Sequence, residues 1–170
     1  MILLSRLLSG LLLDEAYFEA WRYMPTLLCA AAVESVVAFL ATVYLVQKKS
    51  MHSFVTAVVG TTVNLLLNAI LIPRMGWYGG PLGAAIATLL GYVAVYLLRT
   101  ADVRRLLKFR MYLPKQTLNF LLLIAMAAVM TFMGQGRFLT ALLIGAFVIA
   151  LNFWDLFSCV RVLLGSRLKK

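Results

Sequence analysis

The chain has 170 residues, 64% of them hydrophobic and only 13% charged, with a mean hydropathy of +0.96 and a formal net charge of +10. A soluble domain of this size is about half apolar and about a quarter charged, so a water-facing fold cannot absorb this composition and lipid is the expected solvent. A single histidine and two cysteines without CxxC spacing leave a metal centre almost no ligands.

The opening stretch, MILLSRLLSGLLLDEAYFEAW, runs from Met1 straight into apolar residues, is interrupted by Arg6, and turns acidic at Asp14, Glu15 and Glu19. A secretory signal has a basic start, an unbroken apolar core and a small-residue cleavage site. This segment instead reads as a stump, the last turns of a spanning helix followed by a short polar elbow. Five apolar runs follow, from Pro25 to Val46, Phe54 to Ile72, Leu82 to Leu98, Thr117 to Met133 and Phe138 to Phe153. A helix crosses a hydrocarbon core in about 20 residues, and the last two runs reach that length with one further turn. Backbone amides in hydrocarbon need partners within the segment, and the alternating strands of a barrel are absent. The expected fold is all-α: one polytopic transmembrane bundle over residues 1–170, with about five spanning helices and an N-terminal helix stump.

The charge is distributed by loop. Lys48, Lys49, Arg99, Arg104, Arg105, Lys108, Arg110, Lys115, Arg161, Arg167, Lys169 and Lys170 fall on one side of the alternating spans, against Arg22, Arg74 and Arg137 on the other. This is the positive-inside bias, and it predicts that the rich loops and the C-terminus are cytoplasmic. The same pattern speaks for a membrane surface rather than nucleic acid as the partner of the basic groups.

Glu34 lies near the middle of the first span. In helical projection it shares a face with Ala31, Ser35, Ala38 and Thr42, while Val33, Val37, Leu40 and Tyr44 cover the other side. A carboxylate at mid-depth is costly unless it faces a cavity or a partner, or is protonated. Two readings stand side by side: a protonation or ion-coupling site, and a neutral acid bonded to a neighbouring helix. In the second span, Asn64 and Asn68 are four residues apart and share a face, to tie helices together or to touch substrate hydroxyls. Pro73 ends the ladder, and Gly76, Gly79 and Gly80 permit a reversal. The third span opens with Gly83, Ala87 and Gly91 at four-residue spacing, the small-residue pattern that lets two backbones approach. The two spans are expected to form a docked hairpin with an inward polar face. Tyr92 and Tyr96 fit either a carbohydrate path or an aromatic belt at the interface.

At these residues the chain resembles polysaccharide (O-antigen-type) flippases of the multidrug/oligosaccharidyl-lipid/polysaccharide exporter superfamily. The likeness lies in Asn64 and Asn68 leading to Leu71-Ile72-Pro73, the following glycine, and GAAIAT from Gly83 to Thr88. EAYFEAWRYMP before the first span, VYLVQKKS after it and LLRTADVRRLLKF after the third are similar to bacterial members. The resemblance runs from about Tyr17 to Phe120 and to the last helices of the C-terminal lobe; six residues from Trp77 to Leu82 replace a shorter family connection. It implies export of an oligosaccharide linked to a lipid diphosphate across a bacterial cytoplasmic membrane. It also implies a missing N-terminal lobe or a second chain, because the family works with two lobes.

The segment from Arg99 to Lys115 alternates apolar residues with Arg104, Arg105, Lys108 and Arg110, and is expected to anchor on the inner leaflet. Arg6 either answers a substrate charge or snorkels. Cys29 and Cys159 read as small buried hydrophobes. No Ser/His/Asp set, Cys/His set or phosphate loop can be assembled, so neither an enzyme nor a cofactor is expected. Beside the flippase fragment stand a non-transporting scaffold subunit of a polysaccharide-synthesis complex and a small self-associating exporter. For the topology we predict that a cysteine introduced at Ser50 is labelled by an impermeant reagent only from the cytoplasm. One at Gly136 is labelled only from outside, and the reverse pattern overturns the orientation.

Overall fold

A computed structural model of the chain describes residues 2, 5, 10, 11, 14–106, 113–132 and 137–167. Of the residues singled out above, Arg6, Lys108, Arg110, Gly136, Lys169 and Lys170 lie outside this set, as does the side chain of Cys159. A 3-10 helix, Glu15–Arg22, leads into α1, Met24–Val46. Then come α2, Ser50–Gly76, and α3, Gly80–Leu106, followed by α4, Leu113–Phe132, and α5, Arg137–Arg167. Among the described residues there is no strand. The molecule is an all-α bundle and a multi-pass membrane protein.

Four of these segments are long and apolar enough to cross a membrane: α1, α2, α3 and Phe138–Asp155 of α5. The fourth expected run is the shorter one, its apolar part being Lys115–Thr131. The boundaries of α2 and α3 differ from the hydropathy reading. The second helix starts at Ser50 rather than Phe54, and the third continues two turns beyond Leu98. Hydropathy falls at the first cation, whereas a helix stops only where its backbone does.

Local chemistry sets the ends. Pro25 lies in the first turn of α1, where its missing N–H costs nothing. At the other end Lys49 N donates to Tyr44 O at 2.8 Å and Lys48 N to Leu45 O at 3.1 Å. This is the Schellman pattern, with Lys48 in the left-handed position at φ 55°. The reversal between α2 and α3 turns on Gly76 at φ 67°, ψ −174°, a region open essentially to glycine alone.

Burial divides the bundle into inside and outside. In their most apolar windows α1 and α3 are 33% and 39% buried, against 11% for α2 and 6% for α5. Cys29, Val33, Val37, Leu40 and Tyr44, at spacings of three and four, form the buried stripe of α1. They meet Val95, Tyr96 and Val103 of α3 and Met126, Ala127 and Met130 of α4 in one core. The Cys29 thiol donates to Leu123 O of α4 at 3.1 Å, and Tyr96 meets Phe120 edge-on with centroids 5.3 Å apart. The α5 helix is held to α4 by a reciprocal amide pair, Asn119 Nδ2 to Asn152 Oδ1 at 2.9 Å and Asn152 Nδ2 to Asn119 Oδ1 at 2.8 Å. One turn away Lys115 pairs with Asp155. Outward-facing Leu65, Leu66, Leu139, Leu143 and Ile149 are each more than half exposed, a surface that only lipid or another helix can cover.

The two left-handed positions give opposite predictions. Lys48→Gly relieves a β-carbon penalty and raises stability by about 1 kcal/mol. Gly76→Ala lowers it by about 1–3 kcal/mol, although nothing lies within 4 Å of the added carbon. Thermal unfolding of the detergent-solubilised protein reads both shifts.

Candidate functional site

Two stripes at four-residue spacing face each other across the α2–α3 hairpin: Thr56, Gly60, Asn64 and Asn68 on one helix, Gly83, Ala87, Gly91, Val95 and Arg99 on the other. Residues i and i+4 lie one above the other on a helix, so each stripe is a continuous ridge. The glycines bring the ridges to backbone contact. A β-carbon at Gly91 would lie 3.1 Å from Asn64 Cβ and 3.3 Å from Gly60 O, and one at Gly83 would lie 3.2 Å from the Leu71 carbonyl. At Gly60 it would fall 2.1 Å from Val95 Cγ2.

Polar groups occupy this contact. Asn68 Nδ2 donates to Asn64 Oδ1 at 3.0 Å, Asn64 Nδ2 to Thr88 Oγ1 at 3.3 Å, and Thr88 Oγ1 to Ala84 O at 2.9 Å. The relay ties the two helices, while the Oδ1 of Asn68 is buried without a partner. Beside the relay opens a cavity of about 340 Å³ between α1, α2 and α3. Thr61, Asn64, Thr88, Tyr92 and Arg99 give it polar groups, and Val37, Ala57 and Val95 give it apolar wall.

Arg99 closes one end. It is only 6% exposed, and its guanidinium joins three helices. Nε donates to Thr56 Oγ1 at 3.0 Å, Nη1 to Val37 O at 2.8 Å and Nη2 to Ser53 O at 3.3 Å. The sequence reading placed this arginine among the surface cations because it follows the last apolar residue of a run. The four-residue register from Gly83 through Gly91 and Val95 was the signal that it belongs to the buried ridge. Gly60, on the facing ridge, was also missed, its four-residue register with Asn64 and Asn68 being the signal.

Next to Arg99 is a second polar group. His52 lies in the first turn of α2, where Nδ1 is 2.8 Å from Asp102 Oδ2 of α3. The Tyr44 ring stacks on the imidazole at 5.9 Å. Three helix ends therefore meet at this level, with Lys48, Lys49, Arg104 and Arg105 exposed around them.

The other expected site residues separate. Glu34 is exposed on the α1 face that also carries Ala31, Ser35, Ala38 and Thr42, opposite the buried stripe. The Ser35 and Thr42 hydroxyls bond back to their own helix, to Ala32 O and Phe39 O. The Tyr92 hydroxyl, at the cavity rim, reaches toward the Glu34 carboxylate, close enough to interact. Tyr96 is turned instead into the core against Phe120, outside the cavity lining. The Asn119–Asn152 pair also went unnoticed; an isolated amide in each of two adjacent apolar runs was its only mark. Among the described residues no three His, Cys, Asp or Glu side chains come together as a metal site.

No family model, curated protein or solved structure matches the chain. What the molecule itself defines is a multi-pass helical membrane protein with a polar cavity beside a glycine-packed hairpin.

Replacing Asn64 by leucine removes the bond to Thr88 and leaves Asn68 Nδ2 without its acceptor. The expected loss is about 1 kcal/mol of unfolding stability, read against Asn64→Gln as a polar control that keeps both donor and acceptor. An unchanged midpoint would show that the relay contributes nothing.

Proposed function

We propose that the chain forms part of a transporter that moves a lipid-linked oligosaccharide across a bacterial cytoplasmic membrane, with its C-terminus on the cytoplasmic side. The observation that carries this reading is the cavity. A packed apolar bundle gains nothing by opening about 340 Å³ beside two threonines, an amide, a tyrosine and a guanidinium, whereas a carbohydrate path needs hydroxyl- and amide-lined space. A scaffold would bury these groups in dry contacts. Here Asn64 and Tyr92 line open space, and Glu34 is exposed on α1. The resemblance of the Asn64–Thr88 stretch to polysaccharide flippases supplies the substrate class. Transport by alternating access needs two halves moving about a shared site, so a second lobe or a second chain completes the machine, and the exposed faces of α1, α2 and α5 offer it room.

The test is made in the source cell. Deleting the gene is expected to lower surface polysaccharide and to build up its lipid-linked precursor on the inner leaflet. The wild-type gene restores both, and Glu34→Gln restores them with an altered response to external pH if the carboxyl couples proton movement. Loss of surface glycan without precursor build-up assigns the scaffold role instead. Unchanged surface glycan overturns the proposal.

A further inference from the structure

Arg99 raises a problem that its hydrogen bonds do not solve. A guanidinium carries five N–H donors, and three are spent on Thr56, Val37 and Ser53. One N–H on each terminal nitrogen remains, together with a full positive charge. Among the described residues no carboxylate lies within ion-pair distance of it; Asp102, one turn on, is taken by His52. Burying a charge without a counter-charge is strongly unfavourable. The residue itself is part of the cavity lining.

Its depth is informative. At about 1.5 Å per residue, the 27 residues of α3 span about 40 Å, some 10 Å more than a hydrocarbon core. With the excess shared between the two ends, the Arg99 backbone sits about 6 Å inside the hydrocarbon boundary, a depth from which an arginine side chain reaches the head-group region. The exposed Lys48, Lys49, Arg104 and Arg105 ring that same end, and basic groups there concentrate anionic lipids. Val37, Ala57 and Val95 provide apolar wall behind the guanidinium, and Thr61 and Asn64 lie further along the cavity.

We propose that the Arg99 end of the cavity is a resident-lipid site: it holds the phosphate of an anionic glycerophospholipid drawn from the adjoining leaflet. The two free N–H groups of Arg99 meet phosphate oxygens, and the glycerol stem and acyl chains leave along the apolar wall toward the bilayer. The lipid supplies the missing counter-charge and wedges α1 against the α2–α3 hairpin. This site goes beyond the transport reading and does not depend on it.

The test is binding to the purified full chain in detergent, measured by native mass spectrometry while phosphatidylglycerol, phosphatidylcholine or inorganic phosphate is titrated. Phosphatidylglycerol is expected to bind at least about tenfold more tightly than phosphatidylcholine, the gain of a charge-assisted contact, and free phosphate is not expected to displace it. Arg99→Gln should remove the preference, but it also loosens three helices. Ala57→Phe therefore serves as the second variant: it fills the cavity from α2 and leaves the Arg99 bonds in place, and it should remove the preference without lowering the unfolding midpoint. Equal binding of the two lipids overturns the proposal, as does a preference that survives Ala57→Phe. Displacement by free phosphate at equal concentration overturns the lipid assignment. Because the readout is binding, a chain that prefers phosphatidylglycerol yet leaves surface glycan unchanged on deletion fails only as a transporter. One blind to the lipid head group that still supports surface glycan fails only here.

Discussion

Two helices touch backbone to backbone only where side chains are missing, and the architecture of this molecule depends on α2 and α3 doing so at Gly60, Gly83 and Gly91. In lipid no hydrophobic force draws helices together, so close packing and a few polar bonds must suffice. The glycines let Asn64 reach Thr88, and the same register carries Arg99 into the junction with α1. Were the two ridges separated by the width of a leucine, the amide relay would be broken and the guanidinium would lose two of its three hydrogen bonds, those to Thr56 and Ser53. The cavity lies beside this contact, where the ridge residues are small and α1 does not follow the hairpin closely enough to fill the gap.

The division between a buried α1–α3 pair and the exposed α2 and α5 follows from the same economy. A stripe such as Cys29, Val33, Val37, Leu40 and Tyr44 needs an ordered partner for its irregular shape, whereas an apolar outer face such as Leu139, Leu143 and Ile149 of α5 is as well solvated by lipid tails as by protein. The α1 helix has both kinds of surface. Its opposite face carries small residues, two hydroxyls bonded to their own backbone, and Glu34, which lipid cannot solvate. That face is where a second lobe or chain would contribute most, since it would cover the one carboxylate left at mid-depth.

Much of the fold was legible because hydropathy, proline and glycine speak directly about helices in lipid. The all-α bundle, the reversal near Gly76 and the two faces of α1 all follow from residue type and the 3.6-residue period. What escaped was depth and register. Arg99 follows an apolar run, and charge alone placed it at the surface; only the recurrence from Gly83 to Gly91 and on to Val95 marks it as a ridge residue. Tyr92 and Tyr96, alike in sequence, part company because one faces the cavity and the other Phe120. The Asn119–Asn152 pair depends on the relative height of α4 and α5, which no local pattern encodes.

That amide pair has a property its neighbour lacks. Each asparagine gives the other one N–H and takes one in return, Asn152 gives its second N–H to Val148 O of its own helix, and neither group carries a charge. Such a clasp holds equally well at any pH or ionic strength the membrane meets. Lys115 and Asp155, one turn toward the polar surface, attract one another through a medium that salt screens. The α4–α5 hairpin is thus held by two fasteners of different character. Added salt weakens the pair at the polar end, while the uncharged amide pair is left unchanged by it.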